Sequence, residues 1–129
     1  MSKGVIYIAT GDDFIKEASI SVRQLKSVVP SVDVTLFCDR PDPDGPFDSV
    51  SVIEDPEHGY YDKITYMAES PYDKTIYLDT DIFITEDFTD IFSLLDNFDI
   101  AATEDQTRTG TGAVPNYGAY IPESFPEYN

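Results

Sequence analysis

Bases are scarce in this chain. Of 129 residues, 8 are Lys or Arg against 25 Asp or Glu, and the formal net charge is −17. Nothing resembles a basic stripe, which argues against direct binding to nucleic acid phosphates. Cysteine is nearly absent. Cys38 alone forms no internal disulfide, in keeping with a reducing, cytoplasmic setting. The single histidine, His58, falls in a loop flanked by Pro and Gly and reads as a surface residue. Long apolar runs are missing too, so no window matches a membrane span. The opening MSKGVIYIATGDD carries too short an apolar run, ending in carboxylates, to read as a signal peptide. What is present suffices for one core: 41% of residues are hydrophobic, with 8 Phe and 9 Tyr, so a disordered chain is not expected.

The acids are 17 Asp and 8 Glu, spread along the chain and not gathered in a tail. Such self-repulsion opposes a compact state unless it is screened. At about 1 M salt the Debye length falls to roughly 3 Å. The composition therefore points to a salt-loaded cytoplasm, that of a halophile; the rival reading is an acidic protein with a basic partner.

Along the chain, GVIYIA (4–9) is a continuous apolar run of the kind that forms a buried strand. Thr10 and Gly11 make a turn, and Asp12 or Asp13 is placed to cap a helix over about 13–29. Phe14, Ala18, Val22, Leu25 and Val29 share one face of that helix, and Pro30 stops it. VDVTLFCD (32–39) predicts a second strand, RPDPDGPFD (40–48) a loop, and SVSVIED (49–55) an edge strand. Within 56–70 a short helix is expected, with Ile64, Met67 and Ala68 inside. KTIYLD (74–79) predicts a buried strand and 87–98 a helix with Phe88, Ile91, Phe92 and Leu95 inside; 98–105 predicts a further strand. Strands alternating with helices mean an α/β domain on a mainly parallel sheet, with helices on both faces. After about residue 105 the periodicity fails. Residues 104–129 read as an irregular loop, or as the end of a truncated domain.

Two Asp-x-Asp triplets occur, DPD at 42–44 and DTD at 79–81. A chain this rich in Asp holds about two by accident, so spacing alone carries no weight. Position separates them. Asp42 and Asp44 sit in a Pro/Gly loop. Asp79 and Asp81 follow a buried strand, and the carboxyl ends of parallel strands are where open α/β sheets bind ligands. Thr10-Gly11-Asp12-Asp13 and Asp39 arrive at the same edge from the first two strands. In an extended chain, residues i and i+2 share a face. Two carboxylates on one face repel, and a hard divalent cation, Mn²⁺ or Mg²⁺, removes that cost while taking further oxygens from a phosphate.

YDKTIYLDTDIFITEDFTDIF resembles the DxD segment of nucleotide-sugar glycosyltransferases of the A-type fold, the glycogenin-like and galactosyl-transferring families. YIATGDDFIKEASISVRQLK is similar to their first strand and helix. The resemblance extends over nearly the whole chain. It implies a Rossmann-like nucleotide-diphospho-sugar transferase fold, here as the N-terminal, donor-binding part over residues 1–129. It implies Asp79 and Asp81 as ligands of Mn²⁺ or Mg²⁺, with Thr80 between them. Thr10, Gly11 and Phe14 match the segment that holds base and ribose, Asp39 would meet the ribose, and Lys63 matches a basic residue that meets the donor. The implied activity is transfer of a sugar from a nucleotide diphosphate donor, a UDP-sugar, to an acceptor the sequence does not name. The family's late metal ligand, often His, has no counterpart here, and the family's Asn-Thr-Gly start after EYN is missing, which fits a truncated domain.

The residues also admit plainer readings: Thr10-Gly11 as only a turn, Phe14 as core, Lys63 as a solvated helix lysine, Asp39 as a turn cap. Two other functions fit less of the pattern. One is binding of a nucleotide or partner without turnover. The other is a phosphatase with an aspartyl nucleophile. There the motif sits on the first strand with Thr two residues after the second Asp, where this chain has Phe83.

Overall fold

The apolar run near the start has no polar residues from which to build a solvent face, and it becomes the middle of the sheet. In a computed structural model, which describes residues 1–103, β1 (Lys3–Ala9) is buried from Gly4 onward. The chain then forms α1 (Asp12–Val28), β2 (Asp33–Cys38), β3 (Ser49–Val52), α2 (Tyr60–Ala68) and β4 (Lys74–Tyr77). Every strand pair is parallel, and the order is β3-β2-β1-β4. Residues of β1 pair with β2 from Gly4 opposite Asp33 to Ala9 opposite Cys38. This is an open α/β sheet of Rossmann-like order.

Alternation along β1 divides the core. Val5, Tyr7 and Ala9 join Val34, Leu36 and Cys38 beneath Ile15, Ala18, Val22 and Leu25 of α1. On the opposite face Ile6, Ile8 and Phe37 pack with Ile53 and with Tyr66 of α2, Tyr72 and Tyr77. A parallel sheet needs both faces covered, and one helix on each supplies that here. Tyr7 is fully buried, so its hydroxyl needs a partner. It shares a 2.8 Å hydrogen bond with Ser21.

Several expectations are corrected. Phe14 is 56% exposed, and Ile15 takes its place in the core. The buried stripe of α1 runs through Ile15, Ala18, Val22 and Leu25, which leaves Phe14 at its edge on the cleft wall. Neither Asp12 nor Asp13 caps α1. Gly11 holds the N-cap position without a side-chain bond, and the two acids occupy the first turn, near the positive end of the helix dipole. In α2, Ile64 is 65% exposed and Met67 and Ala68 are also exposed. The buried residue is Asp62, whose carboxylate accepts the N–H groups of Glu57 at 3.0 Å and His58 at 2.9 Å. Asp62 and, one turn on, Tyr66, which packs against Phe37, thus form the inner side of the helix. The expected helix after β4 is a 3₁₀ helix, Thr89–Asp96, in which Phe92 is buried and Ile91 exposed. Residues 98–103 form no strand, and Ile100 is 85% exposed. Residues 104 and 105 of that expected strand, and the loop expected over 104–129, lie outside the described residues.

The chain divides into two compact units, Met1–Ser93 and Leu94–Asn129. The sheet, both α-helices and the candidate site belong to the first. In the second, Asn97 and Phe98 both donate to the Leu94 carbonyl. Among the described residues no helix is long and apolar enough to cross a membrane.

Gly4 has no side chain because a ring lies over it. A Cβ there would stand 2.3–2.5 Å from ring carbons of Tyr72. The ring is tethered by a 2.8 Å bond between the Tyr72 hydroxyl and Thr35 Oγ1. Gly4→Ala is expected to cost about 1–3 kcal/mol by overpacking. The measurement is the urea midpoint at unchanged slope. The loss should shrink in a Tyr72→Leu background; an unaltered midpoint in Gly4→Ala refutes the close approach.

Candidate functional site

From β1 the chain passes through α1 to β2 and β3 on one side, and β4 returns to the other side of β1. The connections therefore part at β1, and a crevice opens beyond its carboxyl end, between β1 and β4. A cleft of about 290 Å³ occupies that place, at the low end of the range for small-molecule sites. Ile8 forms part of its wall, Thr10 and Phe14 enter from beyond β1, and Asp79 and Thr80 from beyond β4. His58, Gly59, Tyr60, Asp62 and Lys63 complete it from the start of α2.

Asp79 is tied to two other side chains at the cleft. Its Oδ1 accepts a hydrogen bond from Lys63 Nζ at 2.7 Å and from the Tyr77 hydroxyl at 2.6 Å. Burial pushes its pKa up, but the Lys63 and Tyr77 bonds and the Lys63 charge outweigh it, leaving Asp79 below the usual carboxylate value. Tyr77 moves the other way. Its phenol is pushed up by burial, by bonding to the Asp79 carboxylate, and by the charges of Asp79 and Asp81. Lys63 Nζ also stands 5.6 Å from the ring centroid of Tyr60 and 5.9 Å from that of Tyr77.

The extended geometry expected for Asp79 and Asp81 is not what forms. β4 ends at Tyr77, and the Ile82 N–H donates to the Asp79 carbonyl at 3.3 Å, closing a turn. Asp81 is exposed and does not line the cleft, although its charge reaches Tyr77. Thr80 lines the cleft and donates from Oγ1 to Glu17 Oε2 at 2.8 Å. Two more bonds from α1 hold the segment that follows: Ser21 Oγ donates to the Ile82 carbonyl at 2.6 Å, and the Ile84 N–H donates to Gln24 Oε1 at 2.6 Å. Residues 17, 21 and 24 lie at helical spacing along α1, and 80, 82 and 84 alternate along the segment. One polar stripe of the helix thus fixes the path of the chain leaving the Asp79 turn.

Asp39 and Gly11 form a separate bracket. The Gly11 N–H points between both oxygens of Asp39, 3.2 Å from each. Gly11 has φ 88°, a conformation a side chain resists, although a Cβ would meet open space. Arg40 and Asp12 form an ion pair across the same gap. Asp39 thus holds the β1–α1 turn in place, and neither it nor Gly11 lines the cleft.

Sequence reasoning missed Asp62, Tyr60 and Tyr77 and placed His58 on the surface. His58 is exposed, and it also lines the cleft. Its φ of 56° is left-handed, which few non-glycine residues adopt, His more often than most. The bond from its N–H to Asp62 holds it there. A usable signal was present in HGYYDK: an acid four residues after His58 and two aromatics just before the lysine.

Among the described residues no three His, Cys, Asp or Glu side chains gather as an ion-binding cluster. The oxygens of Asp79 and Asp81 suit a hard cation that keeps waters and draws its other ligands from a phosphate. Asp79 Oδ2 accepts no hydrogen bond from the described residues, both of the side chain's bonds falling on Oδ1. The chemistry of one carboxylate oxygen on the cleft wall fits a cation that takes its other ligands from a phosphate and water, whereas Asp81 stands outside that wall.

No protein-family model, no curated protein and no solved structure matches this chain.

Proposed function

We propose that the cleft binds the diphosphate of a nucleotide-sugar, of the UDP-sugar class, together with Mn²⁺ or Mg²⁺, and that the chain is the donor-binding part of a hexosyltransferase. The observation that carries this reading is the meeting of Asp79, Thr80, Lys63, Thr10 and Phe14 at the point where the sheet connections part. Asp79 and Asp81 would hold the cation, which supplies positive charge to the diphosphate as it departs. Lys63 adds a second positive group at the same place. Phe14 and Tyr60 give the cleft exposed aromatic walls on which a base can stack. The Thr10 and Thr80 hydroxyls are short donors suited to ribose or phosphate oxygens. In a chain of net charge −17, these positive groups also lower the barrier to an anionic ligand.

A second reading, binding without turnover, is favoured by one observation. Both carboxylates on the cleft wall are already engaged, Asp62 with two backbone N–H groups and Asp79 with Lys63 and Tyr77. Neither stands ready as a general base. The acceptor and the stereochemistry of transfer do not enter either reading.

Calorimetric titration with UDP in about 2 M KCl, where screening is nearly complete, tests the proposal. Binding that requires Mn²⁺ is the expected result. Absent or metal-indifferent binding overturns it. Release of free UDP from a UDP-sugar separates transfer from mere binding.

A further inference from the structure

We infer that Lys63 is a built-in counter-ion that occupies Asp79 in the empty cleft, competes with a bare divalent cation for that carboxylate, and turns to the diphosphate once both arrive. This rests on the donor-site reading above and assigns Lys63 a role opposed in sign for the ion and for the nucleotide.

The geometry supports the competition. Lys63 Nζ lies 2.7 Å from Asp79 Oδ1, which also accepts from Tyr77, so that oxygen is saturated. A cation bound through Asp79 must sit a few ångströms from the ammonium, and like charges at that distance repel even at the high effective dielectric of a protein surface. Both partners are more than a third exposed, so the pair can open without unfolding anything. An ammonium released from Asp79 has somewhere to stay, because the faces of Tyr60 and Tyr77 lie 5.6 and 5.9 Å away. Aromatic faces attract ammonium ions. The lysine thus remains in the cleft when the carboxylate is taken, and a diphosphate provides the anion that lets ion and lysine coexist.

One substitution separates the two effects. Lys63→Met keeps the apolar stem and removes the charge. Mn²⁺ alone, titrated calorimetrically, is expected to bind Lys63→Met roughly three- to tenfold tighter than the parent, the repulsion being reduced by salt but not abolished. UDP with saturating Mn²⁺ is expected to bind the same variant about tenfold more weakly, the size of a lost charge-assisted bond. Lys63→Arg, which keeps the charge, should leave Mn²⁺ affinity near the parent's. Equal or weaker Mn²⁺ binding by Lys63→Met, with Mn²⁺-dependent UDP binding intact in the parent, overturns the counter-ion and leaves the donor site standing. Tighter Mn²⁺ binding with no UDP binding in any variant supports the counter-ion and overturns the donor site. Failure of parent and variant to bind either Mn²⁺ or UDP overturns both.

Discussion

Asp79→Ala is expected to abolish Mn²⁺-dependent UDP binding, with affinity falling by at least about 100-fold. Partners one shell out from a metal typically cost 10–100-fold when removed, and Asp79 is proposed as a direct ligand. It is also the residue on which the rest of the cleft converges, through Lys63 at 2.7 Å and Tyr77 at 2.6 Å. Asp81→Ala should do less, because Asp81 is exposed and stands outside the cleft wall. The ordering of the two variants is therefore as informative as either value. The fold should survive both changes: each side chain reaches solvent, and the Ile82 to Asp79 turn bond is made by backbone. Far-ultraviolet circular dichroism matched to the parent's would establish that. If Asp79→Ala binds UDP with Mn²⁺ as the parent does, the cation is held elsewhere and the proposed site is wrong.

The parts of the fold that could be read in advance are those where the sequence offers the chain one choice. GVIYIA has no polar face, so it must be central and buried, and β1 lies in the middle of the sheet. SVSV alternates, and β3 is an edge strand whose residues are all exposed. The alternation of strand and helix gave the parallel class. Errors arose where hydrophobicity and position disagreed. Ile64 and Met67 form the most apolar stripe of α2, yet Asp62 is the buried residue, its carboxylate accepting two backbone N–H groups from the loop before the helix. Phe14 has a spacing compatible with the core, but Ile15 beside it takes the inward position and Phe14 is left lining the cleft.

The site divides in the same way. Asp79 was found by its place after an apolar run expected to be a buried strand, a local property, although β4 lies at the sheet edge and is only half-buried beyond Lys74. Its pairing with Lys63 spans 16 residues, and nothing local to either residue announces it. The same holds for Glu17, Ser21 and Gln24, which look like ordinary solvated helix positions in one dimension. They acquire a role only when the topology brings the segment after β4 across α1. Asp39 illustrates the reverse: an acid at a strand end, where a ligand contact is expected, whose carboxylate is directed at the Gly11 N–H.

Raising KCl from about 0.1 to about 2 M is expected to raise the melting temperature by roughly 10–20 °C, the shift produced by a few kcal/mol in a domain of this size. The cause lies in the balance of charges. Ion pairs engage Asp12, Asp44, Asp48 and Asp79, whereas Asp13, Asp33, Asp42, Glu54, Asp55 and Glu57 are exposed acids in a chain of net charge −17. At about 0.1 M salt the Debye length is roughly 10 Å, so neighbouring surface acids repel; at about 1 M it is roughly 3 Å and the repulsion is largely gone. Ion pairs between exposed groups are weakened by the same salt, but each is worth only about 0–1 kcal/mol, so the sum of repulsions decides the sign. Salt can also strengthen apolar burial, and a charge-reduced variant separates the causes. Asp13→Asn, Asp33→Asn, Asp42→Asn and Asp55→Asn together should flatten the curve by raising stability at low salt and leaving it nearly unchanged at high salt. A parent whose melting temperature ignores KCl would remove the basis for placing this chain in a salt-loaded cell. A variant as salt-dependent as the parent would move the cause from charge to burial.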